Sequence, residues 1–156
     1  MISKIYDQYL DTIALESNLF TLNIKDSFML YNEQSLSEIQ IRSFMNRVAM
    51  GLLSTIRVLG ALPIIRYPGG GAAEMLSQEL FTQLKDVLSP RHPAQTLFED
   101  CLVHDRTRPL LVIVDRTSDL FPVLQHNSTY LALINDLLDF KLNRVNVEIV
   151  DNKGIV

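Results

Sequence analysis

Residues 109–115 read Pro-Leu-Leu-Val-Ile-Val-Asp, and this run limits the possible folds more than any other part of the chain. Residues 110–114 are all apolar, Val112, Ile113 and Val114 are β-branched, and no polar residue alternates with them. A half-exposed strand alternates because its two faces meet different surroundings. An unbroken short apolar run instead suits a strand covered on both faces, as in a parallel sheet. The run is far shorter than the ~20 apolar residues of a membrane-spanning helix. Parallel strands need a crossover of about a dozen residues or more between them, usually a helix.

The upstream chain supplies such a crossover. Ile64 and Ile65 lie in a short apolar stretch, and Pro68 with glycines 69–71 marks a turn. Residues 72–88 then carry Met75, Leu76, Leu80 and Leu84 on one helical stripe, and Pro90 ends it. Residues 89–108 read as a surface connection. The same periodicity predicts a long helix over residues 36–59, capped by Ser35 or Ser37 and stopped at Gly60. Tyr130, Leu133, Ile134, Leu137 and Leu138 repeat as another helix face, with Asn127 or Ser128 as its cap. Near the amino end, residues 2–13 are expected to form an amphipathic helix and residues 18–24 a strand. Residues 145–150 predict a last strand, with a turn at 151–154. Strands alternating with helices set the fold class as α/β, a parallel sheet flanked by helices in a three-layer α-β-α arrangement. Three or four strands are few for such a sheet, so it is expected to be incomplete.

Composition removes several classes. The 156 residues are 47% hydrophobic and 21% charged, which suits a globular domain, or a piece of a larger one, and not a disordered chain. A net charge of −4 gives no general pull toward nucleic acid or anionic membrane. The single cysteine, Cys101, leaves no internal disulfide and points to a reducing compartment. The opening residues 1–16 carry acids on an amphipathic pattern, so neither a secretory signal nor a membrane span is expected there.

Three features invite a chemical reading. Pro-Gly-Gly-Gly at 68–71 lies between a strand and a helix, where phosphate loops also lie. It lacks the lysine of a P-loop, and Glu74 stands where a dinucleotide loop has its third glycine. A tight turn is the plainer reading. The histidines, His92, His104 and His126, have no metal-ligand spacing, and Cys101 with His104 is a lone pair where structural zinc needs four ligands. Asp115 and Asp119 are the remaining candidates. They end the apolar strand at the edge where α/β folds place ligands, and two carboxylates suit Mg2+, a hard cation. Yet Arg116 stands beside them and no third oxygen ligand is recognisable. One reading is therefore a small Mg-dependent α/β hydrolase using Asp115 and Asp119. The other is a corner in which these acids hold backbone N–H groups and an arginine.

Residues 108–145, Arg-Pro-Leu-Leu-Val-Ile-Val-Asp-Arg through Asn-Arg-Val, resemble the signature of the Sec/Munc (SM) family of SNARE regulators. The matching positions are Asp115, Arg116, Asp119, His126, Thr129, Tyr130 and Asp136. The tail at 139–145, the stretch at 59–75 and the opening 6–22 are similar to the Sly-type branch, which works between endoplasmic reticulum and Golgi. The chain departs from the pattern at Pro122, one position early, at Leu131 in place of Gln, and at Asn135 in place of His. The resemblance implies that residues 1–145 are the first part of the family's second, α/β domain and that 146–156 begin the connection toward the third. It implies a non-enzymatic trafficking factor, cytoplasmic and peripheral to these membranes, which in full length binds syntaxin-type SNAREs and promotes their assembly. It implies no catalytic residue, cofactor, metal or nucleic acid, makes the signature residues structural, and leaves the SNARE contacts unassigned. A sheet lacking its remaining strand leads us to expect that this chain self-associates as a dimer.

Overall fold

A computed structural model describes residues 11–89, 98 and 108–147. The chain forms two compact units, the first running to Arg116 and the second starting at Thr117.

The first unit opens with an antiparallel hairpin, β1 (Ile13–Glu16) and β2 (Leu19–Thr21), whose register shifts between Ala14 and Glu16. A short helix α1 (Ser27–Asn32) follows. Helix α2 (Glu38–Leu59) begins with a reciprocal cap: the Ser37 side chain accepts from the Gln40 N–H, and the Gln40 side chain accepts from the Ser37 N–H. It ends where Gly60 turns left-handed, with φ at 61°, and its N–H donates to the carbonyls of Ile56 and Arg57. Strand β3 (Ile64–Arg66), helix α3 (Ala72–Val87) and strand β4 (Leu110–Val112) form the expected parallel unit, with Ile64, Ile65 and Arg66 opposite Leu110, Leu111 and Val112.

The core follows from helical spacing. Met45, Ala49, Leu53 and Ile56 recur on one face of α2, and Ala73, Ser77, Leu80, Leu84 and Val87 on one face of α3. These faces meet each other, Phe98 and Ile113, and the partly buried Ile65 and Leu111 pack against them. Ser77 is buried, and its hydroxyl donates to the Ala73 carbonyl one turn back, so that hydroxyl is not stranded. At the seam's edge, the Gln83 side-chain amide donates to Asn46 Oδ1 at 2.6 Å and ties α3 to α2. Gly51 lies where a Cβ would come within 2.7 Å of Leu22 Cδ2, which explains a glycine inside a long helix: the chain after β2 rests directly on it.

The second unit holds helix α4 (Phe121–Leu124), helix α5 (Tyr130–Leu137) and the hairpin β5 (Phe140–Lys141) with β6 (Arg144–Val145). Leu142 and Asn143 make its two-residue turn with φ of 49° and 60°. This is the type I′ geometry that matches strand twist, and it is costly for a leucine. None of the described residues of this unit is buried.

Several expectations change. The strand at 110–114 is covered on one face only: Ile113 is buried, while Leu110, Val112 and Val114 are 61%, 56% and 63% exposed. Within the first unit, the described helices that pack on the parallel pair do so on one face, and β3 and β4 are the two strands of that sheet among the described residues. Met75 leaves the predicted stripe and is exposed. Ile13, expected in a helix, starts β1, and the expected strand at 18–24 is three residues long and antiparallel. Thr129, and not Asn127 or Ser128, is the N-cap of α5, and Asn127 Oδ1 accepts the Thr129 N–H. The expected helix at 2–10, the connection at 89–107 apart from Phe98, and the last strand and turn beyond Val147 lie outside the described residues.

Leu80 sits at the centre of the seam and is fully buried. Leu80→Ala is expected to cost about 2–5 kcal/mol in denaturant unfolding followed by circular dichroism. Ile39→Ala, at a position 79% exposed on α2, is expected to stay within about 0.5 kcal/mol. Equal losses at the two positions would contradict this core.

Candidate functional site

In a βαβ unit, the carboxyl ends of both strands and the amino end of the crossover helix come to the same edge. Here that edge holds Arg66, the glycine turn, the first turn of α3, and Asp115 just beyond β4. A helix amino terminus leaves N–H groups without intrahelical partners and carries partial positive charge, so it attracts anions. The protein supplies the anions itself. Glu74, on the first turn of α3, reaches back so that Oε2 accepts the Gly70 N–H at 2.7 Å, and Gln78 holds Oε1 at 3.1 Å. Gly70 adopts φ of 86°, which aims its N–H at that carboxylate and favours glycine. Asp115 comes from the other strand: its Oδ2 lies 3.6 Å from the position a Cβ would take on Gly71, the N-cap of α3. Two carboxylates thus stand at the helix end where a phosphate would have to bind, and they would repel it. The glycines serve the turn.

At the opposite end of the same strands, Arg108 fixes the pairing. Its Nε donates to the Leu62 carbonyl at 3.1 Å and one terminal nitrogen to the Pro63 carbonyl at 2.9 Å. One guanidinium fork therefore ties the start of β4 to the start of β3. Sequence reasoning gave no role to Arg108, because its partners are backbone groups 45 and 46 residues away. Glu74 was legible only as a misfit for phosphate, although its place three residues after the N-cap is where back-bonding carboxylates sit.

The other candidates are spread over local turns. Arg116, in a one-turn 3-10 helix (Arg116–Ser118), is exposed and enters no ion pair among the described residues. In the second unit, Asp119 Oδ1 accepts the Phe121 N–H at 2.9 Å and caps α4. His126 Nδ1 lies 3.1 Å from Asp136 Oδ2, joining the turn before α5 to the last turn of that helix. Thr129 occupies the N-cap position of α5, where its own N–H is held by Asn127 Oδ1, and Tyr130 is 81% exposed. Each of these contacts spans at most ten residues and orders backbone. Among the described residues, no group of three His, Cys, Asp or Glu side chains is placed to hold a metal ion. None of the helices described is long and apolar enough to cross a membrane.

Of the two strand-end acids, Asp119 accepts the N–H at the start of α4 and Asp115 lies beside the amino end of α3. Comparison with known proteins gives the family. The model of the Sec1 family matches residues 1–154, and the chain belongs to that family. It is 43% identical over 152 residues to protein sly1 of Schizosaccharomyces pombe, which covers 97% of this chain and 23% of that protein. It is 39% identical over 155 residues to human Sec1 family domain-containing protein 1, covering 94% of this chain and 24% of the relative. A crystal structure of Sly1p in complex with an N-terminal peptide of Sed5p matches with a TM-score of 0.77 at 30% identity, over 92% of this chain and 22% of that one. The chain spans about a quarter of the length of these relatives.

If Glu74 closes the amino end of α3, Glu74→Ala is expected to lower stability by about 1 kcal/mol in denaturant unfolding, through the lost hydrogen bond and the lost charge at the helix terminus. Arg116→Ala is expected to change it by less than about 0.5 kcal/mol. A loss at Arg116 equal to that at Glu74 would mean that the arginine holds the corner after all.

Proposed function

We infer that this chain is the first part of the α/β domain of a Sly-type Sec1 protein. Residues 1–145 belong to that domain, and 146–156 begin the connection to the part that follows. The full-length protein is a non-enzymatic trafficking factor. It binds syntaxin-type SNAREs and promotes SNARE assembly and membrane fusion between endoplasmic reticulum and Golgi, from the cytoplasm and at the surface of those membranes. The observation that carries this reading is similarity to Sly1 proteins over nearly all of the chain, at 43% identity in one relative. The solved relative, Sly1p, holds a peptide of Sed5p.

The corner's chemistry agrees with it. In the hydrolase reading, Asp115 and Asp119 present ionised oxygens to a cation. Instead, Asp119 accepts a backbone N–H, and Asp115 lies against the amino end of α3. In this account Asp115, Arg116, Asp119, His126, Thr129, Tyr130 and Asp136 are structural residues, each acting within its own local turn or helix end. Binding to SNAREs draws on interface area and complementarity, and needs no transition-state machinery.

A chimera tests the proposal. The matching segment of budding-yeast Sly1, 33% identical over 151 residues, is replaced by this chain, and the purified product is assayed for SNARE-dependent liposome fusion. Fusion stimulated to the parental level is the expected result. A chimera that melts like the parent yet gives no stimulation would contradict the assignment. So would Mg-dependent hydrolysis of phosphate esters by the chain that disappears in Asp119→Asn.

A further inference from the structure

We draw no further inference here: the strongest candidate, the exposed apolar strip of Leu110, Val112 and Val114 on the outer face of β4, carries nothing because nothing in the structure shows what covers it.

Discussion

The seam between α2 and α3 is the contact on which the rest of the structure depends. It brings Ala49, Leu53 and Ile56 against Leu80, Leu84 and Val87 and gives one face of a two-stranded parallel sheet something to rest on. Two strands with three paired residues each have little stability of their own. They hold their register because Ile65, Leu111 and Ile113 insert toward the seam, and because the Arg108 fork joins their starting ends. Once that register is set, the positions of Asp115 and the glycine turn follow. Both strands run the same way, so the end of β4 meets the helix that leaves β3.

Electrostatics at that edge decides between a ligand site and a corner. An uncapped helix terminus attracts anions, and glycines before it would let a phosphate approach closely. In this chain two carboxylates occupy that environment, one from the helix and one from the neighbouring strand. A carboxylate at a helix amino terminus contributes about 0.3–1 kcal/mol at the surface. That is enough to fix the loop and far too little to suggest an activated catalytic group. The acids that looked like a metal pair act separately, Asp115 beside α3 and Asp119 on the Phe121 N–H. The chain's place in the Sec1 family fits a corner that shapes a scaffold.

Much of this was legible in the sequence, and the gaps have physical causes. The helices at 38–59 and 72–87 were bounded within two residues, because caps and an apolar stripe at period 3.6 are local signals. The strand at 110–114 was found, but its surroundings were misjudged: an unbroken apolar run reports the fold a sequence is built for, and only one side of that fold is present among the described residues. The β1–β2 hairpin was missed because Ile13 continued a helical spacing and its two-residue loop, Ser17-Asn18, lacks the glycine that announces a tight hairpin turn. The β5–β6 turn was read as a family signature and not as a turn, since Leu142 is not a residue that announces a positive φ. Arg108 was out of reach, because its bonds exist only once β3 and β4 are in register. The family resemblance identified the signature positions, while the local bonds of Asp119, His126 and Asp136 emerged only from the structure.

The central claim is that the strand-end acids, Asp115 beside the amino end of α3 and Asp119 on the Phe121 N–H, belong to the local architecture and do not bind a divalent cation. Thermal unfolding with and without Mg2+ tests it most directly, because an ion bound only by the folded state raises the melting temperature by mass action. The account predicts the same Tm in both conditions for the parent chain and for Asp115→Asn. A Mg-dependent rise in the parent that disappears in Asp115→Asn would contradict it.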